Sequence, residues 1–321
     1  MSIPMIHNRK YPLGKPVPYI VNPALGFGTL FAAMFAMIGI VSVVIAIVSK
    51  GGEASTSLLR ISTIMQNILV FMMPAIIAAM VVTKLPATLL RLDVKPYLKP
   101  TIMACIVLMT SIPALNLIVE LNQNISLPES LSGLEELMKK MEESANSTIG
   151  SMIGGTSIVD LIISILIIGI LTGLSEELFF RGALQGIMFS TRMNKHIAVW
   201  LAAFIFSAMH FQFYGFIPRM LLGAYFGYLA WWTGSIWVPA IAHALNNSVA
   251  VLGSWLALRS GEVENAADAI GETMDHDIFT IILSVAVTAT GIVILNRLCR
   301  KGFKFNNSNS NNSDNPVSQE Q

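Results

Sequence analysis

Long apolar runs alternate with short polar connections along the chain. A helix needs about 20 apolar residues to cross a bilayer, and eight runs approach or exceed that length: about 25–48, 62–83, 101–119, 158–190, 197–212, 218–233, 236–257 and 278–297. No repeat with a period of 20–50 residues is visible. The pattern predicts an all-α fold, a polytopic membrane helical bundle of about eight transmembrane helices. The fifth and sixth runs are short, so their ends reach into the polar connections. The fourth is overlong. As one helix it would extend about 50 Å, so it tilts, protrudes or breaks near Gly169 or Gly173.

Charge sorts by connection. Lys84, Arg91, Lys95 and Lys99 lie between the second and third runs, Arg192 and Lys195 between the fourth and fifth, and Arg297, Arg300, Lys301 and Lys304 after the eighth. The connection after the third run is acidic (Glu129, Glu135, Glu136, Glu142, Glu143), and so is the one after the seventh (Glu262, Glu264, Asp268, Glu272, Asp275, Asp277). This alternation agrees with eight crossings, and the Lys/Arg bias places both termini in the cytoplasm. Within the first acidic connection, LSGLEELMKKMEESA sets Leu134, Leu137, Met138 and Met141 at helical spacing. That suits a helix on the outer interface and a soluble loop helix equally. The end of the chain, NNSNSNNSDNPVSQEQ, reads as disordered.

The composition points the same way: 54% of residues are hydrophobic and 12% charged, against about 25% charged in a soluble domain. A net charge of +1 offers no field to gather nucleic acid. Cys105 and Cys299 show no metal or redox spacing. The methionines suit adaptable packing. The polar start and the missing small-residue cleavage site after the first run argue against a cleavable signal peptide.

Few ionisable residues remain inside the runs. Asp160 and Arg219 sit at outer edges, while Glu176, Glu177, Arg181, His210 and His243 sit deeper. A charge at the bilayer centre costs ~2.5–3.5 kcal/mol on insertion scales. Such groups therefore face a bundle interior or a wet cavity, and pair with each other. Glu177 and Arg181 are four apart and share a helix face. Glu176, turned by about 100°, is left outside that bridge. Counting back from Arg192 to Glu177 gives 15 residues, and counting forward from Lys195 to His210 gives 15. In an antiparallel hairpin equal counts mean equal depth, roughly 22 Å. His243 and Asn247 are again four apart on one helix. Each residue alone has a plain structural reading: the Glu–Arg pair as glue between helices, Asn246 or Asn247 as a helix–helix hydrogen bond. His7, His196 and His276 fall in loops and receive no role.

Together these groups suffice for hydrolysis. A carboxylate among apolar neighbours can act as a general base. A neutral imidazole can share its water, and a second imidazole with an amide can donate to an oxyanion. No serine or cysteine nucleophile is required, and Ser175 and Ser207 lack a base and orienting partner of their own. Two histidines and a glutamate (Glu176, His210, His243) are also a possible zinc set, although the HExxH spacing of zinc proteases is absent. Spacing alone leaves a hydrolase and a proton-coupled transporter open.

The same clusters resemble a known family. EELFFRG (Glu176, Glu177, Arg181) is similar to the EExxxR motif of the CPBP intramembrane proteases, the CAAX-protease and bacteriocin-processing family also called Abi. FSAMH (Phe206, His210) is similar to its FxxxH motif and HALNN (His243, Asn247) to its HxxxN/D motif, and GAYFGYLAWWTGSIWVPAIAHALNN resembles its approach to the last histidine. The resemblance spans roughly 158–250 and leaves residues 1–150 and the tail without a motif. It implies an intramembrane endopeptidase in which Glu176 activates water with help from His210. Glu177 and Arg181 would support that base, and His243 and Asn247 would stabilise the oxyanion. No cofactor would be required, or a divalent metal such as zinc would serve.

The implied partners are the lipid bilayer and a membrane-associated peptide or protein substrate, of CAAX type or of bacteriocin or pheromone type. A non-catalytic peptide-binding immunity or scaffold protein of the same fold is the alternative, and a proton-coupled transporter the third. The expected division is a cytoplasmic segment 1–24, N-terminal transmembrane helices with an acidic outer loop 25–157, a catalytic core 158–257 on runs four to seven, an outer loop and last helix 258–304, and a disordered cytoplasmic tail 305–321. A bacterial plasma membrane fits this plan.

Overall fold

The computed structural model describes residues 20–49, 55–191, 193–263 and 277–313, the side chains of 301–313 excepted. Arg192, His7, His276 and most of the second acidic connection, on which parts of the charge pattern rest, lie outside the described residues. The main helices are α1 (Pro23–Ser49), α2 (Thr56–Val82), α3 (Leu98–Thr110), α4 (Ile112–Gln123), α5 (Ser132–Ile153), α6 (Ile158–Ser190), α7 (Lys195–Ala208), α8 (Phe216–Thr233), α9 (Trp237–Ser260) and α10 (Ile278–Ser313). Among the described residues there is no strand.

Helices α1, α2, α6, α9 and the Ile278–Arg300 part of α10 are long and apolar enough to cross a membrane, and α3 with α4, bent by 48°, makes a sixth. The bend falls at Ser111, just before Pro113. Proline lacks the N–H that would bond the carbonyl four residues back, and its ring clashes there. The remaining two of the eight expected crossings are α7 and α8, of 14 and 18 residues. They do not reach that standard of length and apolarity alone; they pack on each other and on α6. Phe35, Val43 and Ile47 of α1 and Ile282, Val285 and Val293 of α10 are exposed. Such surface is a liability in water and normal in lipid. The protein is a multi-pass membrane protein.

Helix α6 runs unbroken for 33 residues through the centre of the bundle. It does not break at Gly169 or Gly173. Two π-helical segments, Ile165–Leu171 and Leu178–Leu184, lie within it. The glycines instead admit α9: a Cβ on Gly173 would stand 2.8 Å from Ala244 N, and one on Gly169 would collide with Ser248 Oγ. Phe179 and Phe180 of α6 anchor the main apolar core with Leu30 of α1, Phe71 and Ala75 of α2, and Val199 and Ala203 of α7. Ser157 caps α6 by accepting the Asp160 N–H at 3.1 Å. Asp160 in turn holds Arg60 of α2 at 3.1 Å, and Arg60 donates to Met152 O and Ile153 O, the last carbonyls of α5, at 2.9 Å each.

The expected amphipathic segment is helical. Helix α5 buries its C-terminal end (Gly150, Met152, Ile153) and leaves Leu134, Leu137 and Met141 exposed. Helix α10 continues to Ser313, into the stretch expected to be disordered. No proline interrupts it before Pro316. Its continuation, residues 314–321, lies outside the described residues. His196 is not in a loop; it sits in the first turn of α7, with its Nδ1 2.8 Å from Tyr228 Oη.

Candidate active site

Four helices bring the candidate groups together. Glu176 and Glu177 close a short α-helical stretch, Thr172–Glu177, between the two π-helical segments of α6. Arg181, one turn on, donates from Nη1 to Glu177 Oε1 at 2.6 Å, with both side chains fully buried. Its Nη2 donates to Gly223 O of α8 at 2.8 Å, and Gln185, a further turn along, donates to Gly227 O at 3.0 Å. The two glycines form the GxxxG pattern of GAYFG, which lets helices approach closely. A Cβ on Gly227 would meet Val199 Cγ1 of α7 at 2.9 Å.

His243 of α9 reaches into this arrangement. Its Nδ1 lies 2.8 Å from Glu177 Oε1. That oxygen belongs to a carboxylate paired with arginine and can only accept, so Nδ1 carries the proton. The opposite nitrogen, Nε2, faces Glu176 Oε2 at 3.7 Å. Phe226 of α8 stacks on the ring with centroids 4.7 Å apart, and Phe206 meets it edge-on at 5.8 Å. His210 follows α7 in the turn before α8. Its Nδ1 donates to Phe206 O at 2.8 Å, and its Nε2 stands 4.0 Å from Glu176 Oε1. Both imidazoles, when neutral, thus present a lone pair to the same carboxyl group. The His210 side chain is 28% exposed against 9% for Glu176 and 5% for His243, so the cluster is most accessible from the His210 side.

Asn247 stands one turn beyond His243 on α9. Its amide donates to Ile168 O of α6 at a long 3.3 Å, and its Oδ1 accepts from Asn246 at 3.3 Å. The two serines are committed elsewhere: Ser175 donates to Asn67 Oδ1 at 2.5 Å, and Ser207 to Phe216 O at 2.7 Å. Arg219, read as an edge residue, donates to Gln212 O and Oε1 at 3.3 and 3.0 Å.

Sequence reasoning missed several supporting residues. Asn122 of α4 clamps the turn that follows His210: its amide donates to Phe213 O at 3.0 Å, and its Oδ1 accepts the Ile217 N–H at 2.9 Å. Asn67 of α2 holds Thr172 and Ser175. Both are single polar residues in or beside apolar helices, a signal for a buried contact in lipid. Phe226 and the Gly223/Gly227 pair were signalled by GAYFG itself.

Glu176, His210 and His243 are the donors that would hold a divalent metal. Among the described residues no group of three His, Cys, Asp or Glu side chains is arranged to bind an ion. The facing nitrogens of His210 and His243 stand 4.0 and 3.7 Å from the oxygens of Glu176.

No solved structure matches the chain. Over 89 residues the chain is 33% identical to the Bacillus subtilis (strain 168) protein described as "Uncharacterized protein YpbD", an alignment covering 26% of this chain and 42% of that protein. The chain thus spans less than half the length of this curated relative. Residues 158–249, the segment holding all six candidate residues, match the family described as Type II CAAX prenyl endopeptidase Rce1-like, in agreement with the CPBP resemblance of the three motifs.

Proposed function

We propose that the protein is an intramembrane endopeptidase that cuts a membrane-associated peptide or protein with water activated by Glu176. The observation that supports this most is the approach of His210 Nε2 and His243 Nε2 to the two oxygens of Glu176, at 4.0 and 3.7 Å. Three acceptors that face one another repel unless protons lie between them. A water held there donates one hydrogen bond to Glu176 and one to an imidazole, which turns its lone pair toward a carbonyl carbon. As the water oxygen bonds to that carbon, Glu176 takes a proton and the carbonyl oxygen becomes an anion. Asn247 donates to the oxyanion, as does His243 when both its nitrogens are protonated. Glu176 then passes its proton to the amide nitrogen, the C–N bond breaks, and an amine and a carboxylic acid leave. Glu177 and Arg181 do not react; they hold His243 and the cavity wall.

In this reading residues 158–257 form the catalytic core, with 1–24, 25–157, 258–304 and 305–321 as flanking segments. The protein resides in a bacterial plasma membrane with both termini in the cytoplasm, a placement that rests on the Lys/Arg pattern. No cofactor is required. The test compares peptide termini in membranes of cells carrying the wild type or Glu176→Gln. Termini that vanish with the variant are products, and unchanged termini from a variant that inserts normally sink the reading. A variant that still binds or protects marks a non-catalytic scaffold. Activity that disappears on chelation and returns with zinc would transfer water activation to a metal.

A further inference from the structure

We infer that Asn67, on α2 and outside the segment that carries the motifs, is a positioning residue that fixes which carboxylate of α6 faces the two imidazoles. The inference rests on Glu176 being the base. The stretch Thr172–Glu177 is bounded on each side by a π-helical segment. A π segment holds an extra residue per turn. Sliding it along the helix turns the residues it passes by about 100°, the angle of one residue. That is also the angle between Glu176 and Glu177. Gly169 and Gly173 resist such a slip where α9 packs on them, but the leucines and isoleucines that fill most other positions of residues 161–171 resist it weakly. Directional bonds resist it well.

Asn67 supplies them. Its Nδ2 donates to Thr172 Oγ1 at 3.0 Å, and its Oδ1 accepts from Ser175 Oγ at 2.5 Å. The two bonds grip the first turn of the stretch, ending one residue before Glu176. Thr172 Oγ1 also donates to Ile167 O at 3.0 Å, tying the turn to the preceding π segment. Asn67 and Ser175 are 2% and 0% exposed. From the other side Gly173 seats directly on the Ala244 backbone. Asn67 itself lies within the π-helical segment of α2, Gln66–Met72. The knot touches no reacting group, and its position is what gives it a part in the chemistry.

The test uses full-length protein in detergent micelles and dicyclohexylcarbodiimide, an apolar reagent that modifies carboxyl groups inside membrane proteins, with the adducts located by mass spectrometry. In the wild type the adduct forms mainly on Glu176, 9% exposed, and only slightly on Glu177, which is sealed and ion-paired. Asn67→Leu, and the milder Ser175→Ala, change the ratio of Glu176 to Glu177 adduct by about tenfold, and the double variant goes no further than Asn67→Leu. General loosening of the bundle would raise both adducts together. A ratio within about twofold of the wild type in folded Asn67→Leu, or in Ser175→Ala where Asn67→Leu does not fold, overturns the proposal. The labelling needs no substrate, so failure of the hydrolase reading, seen as cleavage that survives Glu176→Gln, is a separate outcome.

Discussion

His243 and Glu177 are joined through Nδ1–H and Oε1 at 2.8 Å, and that bond aims the other ring nitrogen at Glu176, 3.7 Å away. The same oxygen accepts from Arg181 at 2.6 Å. One buried oxygen therefore serves both the ion pair within α6 and the link to α9. The two adjacent glutamates have separate tasks as a consequence: one orients an imidazole, and the other is left to face it.

Removing one member of the buried pair strands the other. Glu177→Gln and Arg181→Met are each expected to cost about 3–5 kcal/mol, read as a large fall in Tm by thermal unfolding in detergent. Among the described residues Glu177 Oε2 and Arg181 Nε find no hydrogen-bond partner, so the pair is not optimised for stability. The double variant Glu177→Gln/Arg181→Met should recover part of the loss. A strictly additive result would mean the two charges are not coupled.

Close helix approach at Gly173 makes a second prediction. The Cβ of Gly173→Ala would press on Ala244 N at 2.8 Å and Cα at 3.1 Å, backbone that cannot swing aside. The expected cost is about 1–3 kcal/mol, together with loss of activity as α9 and His243 move off α6. Gly28→Ala, where nothing lies within 4 Å, is the control. There the helix-propensity gain of about 1 kcal/mol should leave Tm unchanged or slightly raised.

Relations within a helix were legible in the sequence, and relations between helices largely were not. Four-residue spacing links Glu177 with Arg181, and equal counts from a shared turn set His210 level with Glu177. That His243 would take an oxygen of Glu177 has no such signal, because it depends on how α9 lies across α6. The glycines at 169 and 173 read as possible breaks, since composition cannot distinguish a break from a close packing point. Averaged hydropathy is blind to one buried amide, so Asn67 and Asn122 passed unnoticed in a region without motifs. The same averaging merged α3 and α4 across Pro113. The π-helical segments leave no spacing pattern at all.

A pH dependence is expected at α5, outside the crossing helices. Burial pushes the Glu142 carboxyl above its ordinary 4.5, against the opposing charge of Arg219 and hydrogen bonds from Tyr214 and Gln212. A folded carboxyl that keeps its proton more tightly than the unfolded one contributes stability that is full below the unfolded value and lost as pH rises through the folded value. The hold of α5 on the turn after His210, where Gln212 Nε2 donates to Glu142 Oε1 at 3.0 Å, should therefore weaken as pH rises above 4.5. Glu142→Gln removes the dependence. Hydrogen exchange across α5 should be slower in the variant than in the wild type at neutral pH, and the difference should vanish at acid pH. Equal exchange at both would contradict the assignment.

The role proposed for Asn247 makes the sharpest kinetic claim. Its amide is held by a single long bond to Ile168 O, 3.3 Å, weak enough to be exchanged for a stronger, charge-assisted bond when an oxyanion forms nearby. A donor that acts in the transition state changes kcat while leaving KM almost alone. Asn247→Ala should then lower kcat by about 10²–10³ on a substrate identified from the terminal comparison. Asn246→Ala removes a neighbour that touches only the acceptor end of the same amide and should retain most of the rate. If Asn247→Ala instead raised KM at constant kcat, the residue would be binding substrate in its ground state, and the oxyanion would have to be held by His243 alone.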